Sequence, residues 1–116
     1  MTVAMAATPQ ATLAPGLAER ERVLHVLRRH EAELRALGVT RLRLFGSMAR
    51  GEAGLESDVD LIADIDRRAS FSLLDLVGLQ YFLEDLVGRA VDVGTTVEKM
   101  RPRMRRRFDA EAIEVF

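Results

Sequence analysis

The stretch GSMARGEAGLESDVDL, residues 46–61, decides the fold and the chemistry of this chain. Before it, Leu42 and Leu44 alternate with arginines at the period of a half-buried strand. Gly46 then interrupts the strand, because glycine tolerates strained turns and lets the backbone approach a ligand closely. We therefore predict a first strand over residues 39–45, a Gly-Ser corner, and a second strand over residues 59–65.

Two features of this stretch carry chemical information. Ser47 offers a hydroxyl and the amides of a helical turn, a corner that suits phosphate. Asp58 and Asp60 stand two apart on a strand, so both carboxylates leave one face, about 6–7 Å apart. Like charges held together need a cation, and oxygen ligands favour Mg2+ or Mn2+ over zinc. Taken singly, each feature is also typical of a serine-capped turn or a solvated strand.

Length and composition limit the class of protein. A chain of 116 residues that is 48% apolar has the size and the core of one domain, and it excludes wholesale disorder. The chain has no cysteine, which excludes disulfides, thiol nucleophiles and zinc-thiolate sites. A net charge of -1 gives no long-range attraction for nucleic acid. No apolar run approaches the roughly 20 residues that span a bilayer, so we expect no membrane segment and a cytoplasmic location.

Hydrophobic periodicity predicts an α/β (α+β) fold, a small mixed sheet flanked by helices. Residues 1–17 are expected to form a mobile N-terminal leader, and residues 18–116 one domain. Besides the two strands above, we predict a helix over 17–37, a helix over 72–87 that opens with a capping box, a strand over 90–94, a helix that starts near Pro102, and an edge strand over 112–116.

The chain resembles the minimal, MNT-type branch of the DNA polymerase beta-like nucleotidyltransferases. The superfamily signature is Gly-Ser, ten residues, then Asp-x-Asp, and Gly46-Ser47 and Asp58-x-Asp60 match it without insertion or deletion. The extended pattern of the minimal branch is also present, as Gly-Ser-x-Ala-Arg-Gly and Ser-Asp-x-Asp-Leu. The resemblance covers roughly residues 20–116 and is strongest over residues 42–65.

The resemblance implies a third carboxylate on a later strand, for which Asp92 is the candidate. Asp92 alternates with two valines and so points away from the core, whereas Asp64 and Asp66 are interpreted as non-ligands at the strand exit. The resemblance further implies that Asp58, Asp60 and Asp92 hold two Mg2+ ions and that ATP is the nucleotidyl donor. Gly46 and Ser47 would bind its phosphates, with Arg50 as an additional phosphate contact.

The resemblance also implies a partner, a HEPN-type ribonuclease toxin encoded nearby that receives AMP on a tyrosine, so that this chain acts as its antitoxin. The alternative is a non-catalytic antitoxin that neutralises its partner by contact alone. Because about 100 residues cannot also enclose an acceptor, we expect the acceptor to be presented by a partner protein. The sequence does not decide whether the chain forms homo- or hetero-oligomers.

A basic cluster near the C-terminus is the candidate docking surface for this partner, although by itself it is typical of a solvated helix face. Nucleic-acid binding is not expected there, since no aromatics interleave to stack bases. The cluster comprises Arg101, Arg103, Arg105, Arg106 and Arg107.

Overall fold

Four strands form one mixed sheet in the computed structural model, which describes residues 14–95 and 100–116. The strand order across the sheet is β3-β2-β1-β4; β1 pairs antiparallel with β2 and β4, and β2 pairs parallel with β3. The predicted fold class, a small mixed sheet flanked by helices, is therefore confirmed. The elements are α1 (Pro15–Arg29), α2 (Glu31–Ala36), β1 (Val39–Phe45), α3 (Gly46–Ala49), β2 (Val59–Ile65), α4 (Leu73–Val87), β3 (Val91–Gly94), α5 (Pro102–Glu111) and β4 (Ile113–Glu114).

One face of the sheet packs against α1 and α4 and forms the main core. Alternate strand residues point into it, as the period of two requires. Leu42 and Leu44 are fully buried, as predicted, and face the two helices together with Leu61 and Val93. The helices contribute the buried side chains Val23, Leu24, Leu27, Leu79, Leu83 and Val87.

The opposite face is covered only in part, by α5. Phe108 of α5 is buried against Ile62 of β2, and its ring lies 5.4 Å from that of Phe45. Because Asp60 and Asp92 have the strand parity of Ile62 and Phe45, rather than that of the core residues, they belong to this second face. The carboxylates therefore lie outside the main core.

The helix α4 begins and ends at the predicted residues. The Ser72 Oγ accepts the Asp75 amide at 3.1 Å, the Asp75 carboxylate accepts the Ser72 amide at 2.8 Å, and together they form a capping box. Gly88 ends the helix in the left-handed region, at φ +72°. Pro102 likewise occupies the first turn of α5, as predicted.

The prediction of a single helix over residues 17–37 is wrong. The chain turns at His30 (φ -106°, ψ 20°), whose amide bonds the Leu27 carbonyl at 3.1 Å, and α2 starts at the next residue. Leu27 and Leu34 are both buried on either side of this turn, so their seven-residue spacing mimics one continuous helix.

Residues 15–17, at the end of the predicted leader, belong to the helix α1. The helix α1 begins at Pro15, which suits a first turn because proline lacks an amide proton, and Leu17 packs against Gly51. Residues 1–13, on which the predicted mobile leader chiefly falls, lie outside the described residues. No helix within the two described ranges is long and apolar enough to cross a membrane.

Candidate active site

Gly46 lies where β1 ends, and its conformation brings the backbone against a carboxylate. Its φ of +78° is in the left-handed region, which glycine adopts without strain. The pairing of Phe45 with Asp60 places Asp60 beside the corner, and a Cβ added at Gly46 would overlap the Asp60 carboxylate oxygen. Glycine at this position is therefore required both for the turn and for the approach of Asp60.

Asp60 and Asp92 are neighbours across two parallel strands. They are direct partners in the register of β2 and β3, and adjacent strands lie about 4.8 Å apart. Val91 and Val93 are buried in the main core, while Asp92 between them is exposed on the other face. The orientation predicted for Asp92 is the one found in the structure.

The electrostatics of Asp60 reflect this crowding. Partial burial raises the pKa of its carboxyl above the ordinary value, and the negative charges of Asp92 and Asp58 raise it further. The positive charge of Arg50 acts in the opposite direction. Asp58 and Asp92 therefore repel the ionised Asp60 carboxylate, and a bound cation would relieve that repulsion.

Asp58 and Asp92 influence the charge of Asp60, but the three carboxylates do not converge on one point in the described part of the chain. Within residues 14–95 and 100–116, no three or more His, Cys, Asp or Glu side chains converge as metal ligands. Asp58 precedes β2 and is exposed. The donor set consists of carboxylate oxygens, which fits Mg2+ or Mn2+ rather than a soft metal.

Arg50 is held by two glutamates. Its guanidinium bonds Glu52 at 2.9 Å and Glu111 of α5 at 3.1 Å, and both hydrogen bonds raise the pKa of Arg50. A phosphate at this corner would have to compete with these carboxylates for Arg50. Ser47, the other predicted phosphate contact, is half-buried directly after Gly46.

Arg89 is a positioning residue that sequence reasoning missed. It donates to the carbonyls of Gly54 and Ser57, both at 2.9 Å, just before Asp58. Glu19 of α1 holds it in place through a 2.6 Å hydrogen bond. The Ser57 hydroxyl tightens the same loop by accepting the Gly54 amide at 2.9 Å. No local pattern marks Arg89, because its partners are more than 30 residues away.

A pocket of about 380 Å³ opens over Asp60 and Asp92. Its apolar wall consists of Phe45, Ile62, Met100 and Met104. Strand parity with Asp60 could have identified the two strand residues. Met104 of α5 and Met100, just before that helix, reach the pocket only through tertiary packing. The pocket therefore joins carboxylates to an apolar surface.

The family is decided by a match over most of the chain. Residues 27–115 match the family model described as "Nucleotidyltransferase domain". The chain belongs to this nucleotidyltransferase family. It resembles the "Putative protein adenylyltransferase MJ0435" of Methanocaldococcus jannaschii, with 35% identity over 83% of this chain and 92% of that protein. It also resembles "Protein adenylyltransferase MntA" of Thermococcus cleftensis, with 40% identity over 63% of this chain and 73% of that protein.

Solved structures agree with this assignment. A structure described as a "putative minimal nucleotidyltransferase" is 40% identical, covers 78% of this chain and 93% of its own, and superposes with a TM-score of 0.60. A toxin-antitoxin with AMP-PNP shares the fold, with a TM-score of 0.56 at 14% identity, over 84% of this chain and 72% of its own. The recognition of a minimal nucleotidyltransferase from its motifs is thereby confirmed.

Proposed function

We propose that this nucleotidyltransferase transfers AMP from ATP to a hydroxyl of a partner protein, a tyrosine of a HEPN-type ribonuclease toxin, and thereby acts as its antitoxin in the cytoplasm. The observation that carries the proposal is the pairing of Asp60 with Asp92 beside the Gly46 corner. A phosphate-binding turn and two carboxylates at one place are what nucleotidyl transfer requires.

The proposed reaction is a displacement at the α-phosphorus of ATP. The acceptor oxygen bonds to the α-phosphorus of ATP, the bond to the bridging oxygen breaks, pyrophosphate leaves, and the hydroxyl proton passes to solvent. Asp58, Asp60 and Asp92 would hold two Mg2+ ions, which supply charge neutralisation at the entering and leaving oxygens. Gly46 and Ser47 would bind the terminal phosphates. Arg50 would add a contact if its guanidinium released Glu52 or Glu111 and bound a phosphate oxygen instead.

The relatives support a protein acceptor. Two of them are named protein adenylyltransferases, one at 35% identity over most of both chains. The fold neighbour with AMP-PNP is a toxin-antitoxin, which agrees with a toxin as acceptor. The HEPN class and the tyrosine follow from the motif resemblance.

The test combines the protein with ATP, Mg2+ and the product of the neighbouring gene, and measures the masses of both proteins. We expect the partner to gain the mass of one AMP, and the gain to disappear with Asp60→Asn. The non-catalytic alternative predicts instead a stable complex in which the partner is neutralised and neither mass changes.

A further inference from the structure

A basic cleft lies on the same side of the sheet as the carboxylates. It has a volume of about 730 Å³. Asp64 at its floor follows Asp60 by four residues on β2, which corresponds to about 13 Å along an extended strand. Five arginines line this basic cleft: Arg41, Arg43, Arg67, Arg68 and Arg105.

The two carboxylates in the basic cleft are already engaged. Asp64 accepts a hydrogen bond from Arg43 at 2.8 Å. Asp66 accepts the backbone amide of Arg68 at 2.9 Å and so shapes the turn that carries Arg67 and Arg68. With five cationic and two anionic side chains among the residues that the structure describes there, the lining is positive in a chain whose net charge is -1.

The five arginines differ in whether another described side chain already pairs with them. Arg43 is only 12% exposed, its guanidinium lies 5.0 Å from the Phe108 ring centre, and its buried Nε has no hydrogen-bond partner. Arg41 and Arg105 pair with Glu114 and Asp109, respectively.

Arg67 and Arg68, both exposed, form no ion pair with any other described residue. The turn therefore presents two guanidinium groups to a ligand.

We propose that the basic cleft binds an acidic segment of the acceptor protein and so holds the acceptor hydroxyl at the carboxylate end of the same sheet face. This inference rests on the proposed function, because it assigns a surface to the protein that receives the nucleotide. Arginine pairs with carboxylates through its planar fork, and such contacts fix orientation as well as affinity.

A peptide fits the basic cleft better than a nucleic acid does. Asp64 and Asp66 line it and would repel a continuous phosphate backbone. No aromatic residue is among the described residues that line it, so bases would have no surface there on which to stack. The low net charge of the chain also provides no long-range field to attract a polyanion. Acidic side chains at defined positions can meet Arg67 and Arg68 without these costs.

The experiment compares two charge reversals of equal size. The cleft variant is Arg67→Glu with Arg68→Glu, and the matched control is Arg28→Glu with Arg29→Glu, another adjacent pair, which is exposed in the last turn of α1 outside the cleft. With the neighbouring gene product as acceptor, we expect the cleft variant to raise KM for the acceptor about tenfold and to weaken its salt dependence. The affinity for ATP and the melting temperature should stay unchanged, and the control variant should stay within about twofold of the native protein.

A second arm does not depend on transfer. Fluorescence anisotropy measures the binding of a short labelled peptide of alternating Glu and Ser, and of a uridine oligonucleotide of equal charge, at low and at physiological salt. We expect the peptide to bind the native protein and the control, and to bind the cleft variant about tenfold more weakly. Equal losses in both variants, or tighter binding of the oligonucleotide through the cleft, would overturn the proposal. If the peptide result holds while no partner is modified, the proposed function fails and the acidic-ligand cleft remains.

Discussion

The two faces of the sheet are built from the same strands and differ in almost every physical respect. On β2, Leu61 and Ala63 are buried in the main core, whereas Asp60 and Asp64 are on the other face, partly open to solvent. One face gains stability by removing apolar area from water. The other holds like charges near Asp60, which costs stability unless a cation binds.

Stability and chemistry are therefore separated by a single residue along the strand. A residue that faces the helices should affect folding and leave the chemistry of the folded molecules intact. A residue that faces the pocket should do the reverse. Each of the following changes tests one side of this separation.

The largest expected effect is on transfer. We expect Asp60→Asn to lower the rate of nucleotidyl transfer about 1000-fold or more, because one member of the proposed metal-binding carboxylate set is lost. Folding should be retained. Mass measurement of the acceptor gives the rate, and circular dichroism checks the fold. Asp85→Asn, the same substitution at an exposed position of α4, serves as the control and should behave like the native protein.

The next effect is on folding alone. Leu44 of β1 is fully buried in the main core, so Leu44→Ala should lower the free energy of unfolding by about 3 kcal/mol. Leu55 is 95% exposed, and Leu55→Ala should change the free energy of unfolding by less than about 0.5 kcal/mol. Urea titration measures both. Loss of transfer by the folded fraction of Leu44→Ala would contradict the separation of the two faces.

At the Gly46 corner, a single substitution should change both the stability of the fold and the rate of transfer. Gly46→Ala should destabilise the protein by about 1–3 kcal/mol, because the residue has a φ of +78° and its Cβ would meet the Asp60 carboxylate. Displacement of Asp60 should also lower transfer. The comparison is Gly54→Ala, since a Cβ at Gly54 has no neighbour within 4 Å. Melting curves and transfer rates that are equal for the two variants would show that the corner is not constrained.

The smallest effect is the pH dependence of stability, and two carboxylates should show opposite signs. Hydrogen bonds from Arg22, and then from Arg89, lower the pKa of Glu19 from 4.5 to about 2, although burial opposes them. Glu19 therefore stabilises the fold above pH 4.5, and this contribution is lost as the pH falls towards 2. Glu19→Gln should reduce the loss of unfolding free energy between pH 4.5 and pH 2, by about 1 kcal/mol or less.

Asp60 has the opposite sign because its pKa is raised. The folded state binds its proton more tightly, so stability falls as the pH rises through the folded pKa. Asp60→Asn should therefore raise the free energy of unfolding near neutral pH, without divalent cations, and have little effect in strong acid. Urea titrations across pH 2–7, with EDTA present, compare both variants with the native protein.

Several helices and strands of the fold can be predicted from sequence patterns a few residues long. Alternation at Leu42 and Leu44, the Ser72–Asp75 capping box and Pro102 at a helix start all act over a few residues, and each predicted its element. The break at His30 was missed because buried leucines on both sides keep a helical spacing across the turn. The motif itself indicated Gly46, Ser47, Asp58 and Asp60, and strand parity indicated the orientation of Asp92.

Which of these residues meet depends on the packing of the whole chain. The overlap between Gly46 and Asp60 depends on the register of β1 with β2, and the pairing of Asp60 with Asp92 on the register of β2 with β3. Arg89 reaches its loop, and the turn with Arg67 and Arg68 joins the β1 arginines, through contacts across 20 residues or more. The linear arginine cluster contributes only Arg105 to the basic cleft. A side chain's face follows from the two-residue period of its own strand, whereas its neighbours follow from strand order and register, which packing of the whole chain selects.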